Sequence, residues 1–126
     1  MKLKIATIIL FVQDVNRLKI FYQENLQLKL VEEIAGQWVV LAAGNCNIGL
    51  HKVGQQYEVA APETFRAESN TKIVFECDED IFNLQEQLSR APVKIEPVKT
   101  FENYGFWLCD GEDPEGNVFQ LQQKKQ

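Results

Sequence analysis

Apolar residues recur along this chain with two periods, and the switches between them outline its elements. From Lys2 to Val12 the period is two, the signature of a strand. Ile8, Leu10 and Val12 fall on one face, and Thr7, Ile9 and Phe11 on the other. Both faces are apolar, so the strand is expected to be covered on both sides. Asp14 is a good N-cap, and from there the period lengthens: Val15, Leu18, Phe21 with Tyr22, and Leu26 share one side of a helix ending near Asn25. Period two returns over residues 28–35, 38–42 and 47–53, with Gly36 and Gly44-Asn45 as turns between them. Residues 54–70 are polar, carry Pro62 and show no period, which predicts a connecting loop.

The order then repeats. Residues 71–77 predict a strand, and Asp78-Glu79-Asp80 opens a helix whose N-terminal dipole suits those charges. Ile81, Leu84 and Leu88 form its apolar stripe, and Pro92 lies past its end. Three more strands follow, over residues 93–101, 105–109 and 117–122. Asp113-Pro114-Glu115-Gly116 turns the chain before the last one, Pro presetting φ and Gly tolerating φ > 0. Leu10-Phe11-Val12 answers Phe75-Glu76-Cys77, and Trp38 answers Trp107. Two copies of a βαβββ unit are therefore expected in one α+β domain spanning 1–126. Unit one covers 1–53, a linker 54–70, and unit two 71–126.

Composition narrows the function classes. The chain has 126 residues, 45% hydrophobic and 25% charged, as ordinary globular domains do. A net charge of −5 argues against a nucleic-acid partner. The apolar run from Ile5 to Val12 is too short to span a membrane and lacks a signal-peptide cleavage pattern. Cys46, Cys77 and Cys109 are scattered, with no CxxC spacing and no basic or histidine neighbour, and read as reduced core residues of a cytoplasmic protein.

Phe11-Val12-Gln13-Asp14-Val15, Phe21-Tyr22-Gln23-Glu24-Asn25-Leu26, Tyr104-Gly105 and Asp113-Pro114-Glu115-Gly116-Asn117 together resemble the vicinal oxygen chelate superfamily. Its members include glyoxalase I, bleomycin and fosfomycin resistance proteins, and extradiol dioxygenases. The resemblance covers essentially the whole chain. It implies an open, curled β-sheet barrel built from the two units, with helices outside and a ligand cavity inside, and it favours a homodimer. Enzymes of this family hold a divalent metal on the first, fourth, fifth and eighth strands. Carried onto this sequence, those positions are Thr7, Gly49 (His51 with a slip of one inward position), Lys72 (Thr71 with a one-residue slip) and Gln120. That set lacks the imidazole, thiolate or carboxylate donors a transition metal requires, and an ammonium would repel the ion. No metal or other cofactor is expected.

The same positions are candidates for binding an organic ligand. Thr7 and Gln120 supply uncharged hydrogen-bonding groups, and Phe11 is placed among them on the first strand. His51, the chain's one histidine, reads either as a rim residue bonded to backbone or water, or as a ligand contact or lone acid/base. Lys72, Val74 and Glu76 alternate onto one face, where the two charges are either a polar anchor or part of an internal ion pair. Trp38 and Trp107 are either aromatic walls of the cavity or core residues beneath the helices. With both indoles inward, the cavity gathers Thr7, Ile9, Phe11, Trp38, Val40 and His51 from unit one, and Val74, Glu76, Trp107 and Gln120 from unit two.

Three functions compete. The first is a metal-free binding protein resembling bleomycin resistance proteins, which sequesters a planar, preferentially cationic ligand. The second is an enzyme of the glyoxalase superfamily with an atypical site, a lyase, isomerase or dioxygenase. The third is an interaction module or sensor whose cavity is filled by side chains.

Overall fold

The structure is a computed structural model that describes all 126 residues. The chain divides into two compact units, Met1–Phe65 and Arg66–Gln126, so the connection expected over 54–70 is shared between them. Each unit is a four-stranded mixed sheet with one helix, in the order βαβββ. The α+β class and the tandem repeat are thereby established.

The first unit comprises β1 (Thr7–Val12), α1 (Val15–Asn25), β2 (Lys29–Ile34), β3 (Trp38–Ala43) and β4 (Cys46–Lys52). Its sheet runs β1-β4-β3-β2, with β1 parallel to β4 and the other pairs antiparallel. β1 is shorter than the alternation suggested. β4 begins at Cys46, and the register pairs Thr7 with Asn47, so residues 1–6 have almost no strand to pair with. Asp14 caps α1 as its side-chain type predicts, accepting from the Arg17 N–H at 3.0 Å. Val15, Leu18, Phe21 and Tyr22 are buried on the inner side of α1, and Val39, Leu41, Ile48 and Leu50 are buried in the sheet. Lys19 of α1 reaches Glu33 of β2 at 2.8 Å, and Glu33 pairs with Val39, which identifies the Val39 face as the one α1 covers. Apolar burial on that face, worth about 25 cal/mol per Å², is what holds the unit together.

The second unit comprises β5 (Ile73–Glu76), α2 (Ile81–Arg90), β6 (Lys94–Ile95), β7 (Phe106–Glu112) and β8 (Val118–Lys124), in the sheet order β5-β8-β7-β6. Asp80 caps α2 through the Phe82 N–H at 2.9 Å. β6 has two residues where a strand through Phe101 was expected, because Pro97 has no N–H to give a ladder. Beyond it, the Glu96 N–H still donates to the Asp110 carbonyl at 2.8 Å, and a bridge between Lys99 and Leu108 continues the pairing.

Between β7 and β8, Asp113 builds the turn that its sequence announces. Its Oδ1 accepts from the Glu115 and Asn117 N–H groups, both at 2.9 Å, and its Oδ2 accepts from the Asn117 amide at 2.9 Å. Gly116 sits at φ +82°, where a side chain would be strained. Asp113 and Glu115 are both buried, so this turn is an internal structural element and not a loose loop.

Candidate functional site

On the first unit, register brings three rings into a row across adjacent strands. His51 of β4 pairs with Phe11 of β1 on one side and with Trp38 of β3 on the other. The ring centroids lie 5.3 Å apart for Phe11 and His51, and 5.7 Å apart for Trp38 and His51. Alternation puts Thr7, Ile9 and Val40 on this same face, away from α1. Phe11, a large apolar side chain near the end of the edge strand β1, is 63% exposed.

Trp38 is held from two directions. Its Nε1–H donates to the Glu32 carboxylate at 2.8 Å, and Glu32 pairs with Val40 on the same face. The indole lies over Gly49: a Cβ there would come within 2.6 Å of Trp38 Cη2. The space left by the missing side chain at 49 is therefore taken up by the indole. Here Gly49 is required by a close approach and not by backbone conformation.

Next to Phe11, the first unit opens into a cleft of about 610 Å³, lined by Phe11, Gln13, Val53, Gly54, Gln56, Tyr57 and Phe65. That volume lies in the range of small-molecule pockets, about 300–1,000 Å³. Its far wall comes from the segment expected to be a plain loop. Buried Gln13 holds that wall: its amide donates to the Tyr57 carbonyl and accepts from the Val59 N–H, both at 3.0 Å. Lys52 Nζ donates to the Gln13 carbonyl at 2.5 Å, closing the corner. Sequence reasoning missed Gln13, Tyr57 and Phe65 as site residues. Two signals could have found them: aromatic residues in a polar stretch, and a connection longer than compact domains usually carry.

The second unit has a polar face. Asp110 of β7 pairs with Gln120 of β8, and Val74 of β5 pairs with the same Gln120. Asp110 accepts from the Gln120 amide at 2.9 Å, from Lys72 at 3.3 Å and from Lys99 at 3.4 Å. Partial burial alone would raise the Asp110 pKa. The hydrogen bonds from Gln120 and Lys72 and the charges of Lys72 and Lys99 outweigh burial and bring it below its ordinary value. The ion-pair partner of Lys72 is thus Asp110, a residue the sequence pattern did not single out. Glu76 is exposed at the end of β5, opposite Gln122.

Trp107 corrects one expectation. It pairs with Gln123, and Gln123 accepts from the Ile81 N–H at 3.0 Å and so tethers the start of α2. The Trp107 ring packs edge-on to Phe82 of α2 at 5.2 Å, with the Lys125 ammonium 4.9 Å from its ring. Trp107 therefore stands on the helix side of its sheet, opposite to Val74 and Gln120, and is not a wall of any cavity on their face. Cys109 lies on the helix side too. Burial, with the charge of Asp110 adding to it, pushes its thiol up to about 11, which rules out a thiolate at neutral pH.

The four family metal positions do not fit a metal ion. Gly49 offers no donor and lies beneath an indole, Lys72 is an ammonium paired to Asp110, and the Gln120 amide is already donating to the same carboxylate. Neither unit gathers three His, Cys, Asp or Glu side chains into a group able to hold one.

A family profile described as the Glyoxalase/Bleomycin resistance protein/Dioxygenase superfamily matches residues 4–121. The chain belongs to that superfamily. Among solved structures, a lactoylglutathione lyase from Agrobacterium tumefaciens is 18% identical, with a TM-score of 0.74 over 95% of this chain and 92% of that one. An antibiotic binding protein from Streptomyces sp. CB03234 is 19% identical, with a TM-score of 0.73 over 98% of both chains. A genomically encoded fosfomycin resistance protein from Listeria monocytogenes is 13% identical, with a TM-score of 0.72 over 99% of this chain and 94% of that one. At such identities these superfamily structures share the fold, and the site has to supply the function. No curated protein matches the chain. No helix is long and apolar enough to cross a membrane.

Proposed function

We propose that this superfamily member is a metal-free small-molecule-binding protein that sequesters a planar organic ligand and releases it unchanged. The observation that carries the proposal is the double position of Phe11, which belongs both to the ring row with His51 and Trp38 and to the wall of the 610 Å³ cleft. Aromatic faces and an apolar wall supply affinity through lost water contact, and a few polar groups orient what is bound. Glu32 beside the indole and the net charge of −5 favour a ligand with a positive group. Thr7 and His51 are the polar contacts on this face. On the second unit, Lys72, Glu76 and Gln120 form the proposed polar contact surface. The donors at the family metal positions support the metal-free part of the proposal, and the antibiotic binding relative supports sequestration as a use of this fold.

Titration with a panel of planar aromatic cations, followed by tryptophan emission, tests the proposal. Saturable quenching is expected from Trp38, so Trp38→Phe abolishes it and Trp107→Phe leaves it in place. Mass spectrometry of the recovered ligand distinguishes a binder from a lyase, isomerase or dioxygenase, since a binder returns it intact. The absence of saturable quenching across the panel overturns the proposal.

A further inference from the structure

Resting on that binding function, the geometry points to His51 Nε2 as a fixed hydrogen-bond acceptor that selects ligands carrying an N–H or O–H donor on the aromatic ring system. His51 Nδ1 lies 2.7 Å from the carbonyl oxygen of Lys52. A carbonyl oxygen can only accept, so Nδ1 carries the proton and donates it. In a neutral imidazole this leaves Nε2 with a bare lone pair. The ring is steadied in this orientation by Phe11 on one side and Trp38 on the other. His51 is an exposed residue whose one hydrogen bond is made at Nδ1, which leaves Nε2 free to accept.

The consequence is a selectivity rule. A ligand stacked along this row that presents a donor at its edge gains a hydrogen bond at Nε2. A ligand of the same shape with that donor methylated loses the bond and meets a methyl group at an acceptor. One hydrogen bond of this kind corresponds to a few-fold to about tenfold in affinity.

Because His51 is the one histidine in the chain, a single pair of imidazole nitrogen signals reports its tautomer without assignment. Proton–nitrogen correlation spectra at mildly alkaline pH are expected to show Nδ1 protonated and Nε2 bare, the reverse of the usual preference of a free imidazole. Binding of 2-naphthol and 2-methoxynaphthalene, which share a ring system and differ in one O–H donor, is then compared by calorimetry. Naphthol is expected to bind up to about tenfold more tightly. His51→Phe, which keeps a ring but has no acceptor, removes the preference, and His51→Gln, which keeps an acceptor oxygen, retains part of it.

A protonated Nε2 in the free protein overturns the inference. Equal binding of the two probes also overturns it while leaving the binding function intact. If neither probe binds while the aromatic cations do, the inference falls and the binding function stands; if the cations fail as well, both fall.

Discussion

Gly49→Ala is the sharpest test of how the aromatic row is built. The new Cβ would lie 2.6 Å from Trp38 Cη2, 3.0 Å from Cζ3 and 3.3 Å from Ile9 Cγ1. Carbon atoms prefer about 3.5–4.0 Å, so the indole has to retreat by roughly 1 Å. It cannot do so freely, because its Nε1–H is bonded to Glu32 at 2.8 Å and its edge rests on His51. Overpacking of this kind costs about 1–3 kcal/mol. Replacing glycine also stiffens the unfolded chain, which returns about 0.4–1 kcal/mol. The net expectation is a loss of about 1–2 kcal/mol, or about 4–8 °C in Tm for a chain of this size. Gly105 is the control. A Cβ there meets nothing within 4 Å and its φ is not positive, so Gly105→Ala should stabilise by about 0.4–1 kcal/mol. Urea unfolding gives both signs, and a Trp107→Phe background isolates the Trp38 emission, which should shift red in Gly49→Ala as the indole lifts. If Gly49→Ala is as stable as the parent with unchanged Trp38 emission, the packing of this face is wrong.

Other outcomes follow from the same geometry. Elemental analysis of purified protein should find far less than one Zn, Ni, Fe or Mn per chain, and about one per chain lost on mutating Gln120 or His51 would refute the metal-free assignment. Asp110 has a lowered folded pKa, so its contribution to stability is present above its unfolded value of 3.8 and fades as pH falls through the folded one. Lys72→Met should flatten that acid limb of the stability curve, only modestly because the lysine is partly exposed. Cys109 has a raised pKa of about 11, so stability it contributes below pH 9 is lost as pH rises from 9 to 11, and Cys109→Ala should reduce that alkaline loss. Light scattering should give twice the 14.5 kDa chain mass, since β2 leaves an edge on which Val31 and Ile34 are exposed; a mass of one chain would refute pairing.

In β4 one face is polar or small, with Asn47, Gly49 and His51, and the other is apolar, with Ile48 and Leu50, so its phase was legible from sequence. β1 and β4 fix each other through Ile9 opposite Gly49 and Phe11 opposite His51, and the helix start at Asp14 sets their distance from α1. Phe106-Trp107-Leu108-Cys109 carries no such alternation, because both faces are apolar, and a one-residue slip exchanges every side chain between faces. Its phase is decided by tertiary contacts: Gln123 tethering the start of α2, and Phe82 receiving the indole. Asp110 was hidden for a related reason. It looks like the approach to a turn, yet β7 continues to Glu112 and aligns Asp110 with Gln120. The cleft wall at Tyr57 and Phe65 was hidden because nothing periodic marks it; its position follows from one buried amide, Gln13, reaching 44 residues along the chain.

The two tryptophans show how a repeated unit separates binding from stability. Each lies at or near the start of its unit's third strand, yet Trp107 is on the side of its own unit's helix and Trp38 is on the side away from its own. Trp107 is committed: its ring packs edge-on to Phe82 of α2 with the Lys125 ammonium over it, and so helps fasten a helix to a sheet. Trp38 is fastened only at its nitrogen and along one edge, over a glycine that contributes no side chain. An indole used for core packing is normally enclosed on both sides. One that is oriented by a carboxylate, backed by a glycine and flanked by an exposed histidine and phenylalanine keeps its remaining surface for something else. The glycine matters most in this arrangement. It lets the indole lie down against the sheet, where its orientation is set before any ligand arrives, and a preset aromatic surface binds without the entropy cost of ordering it.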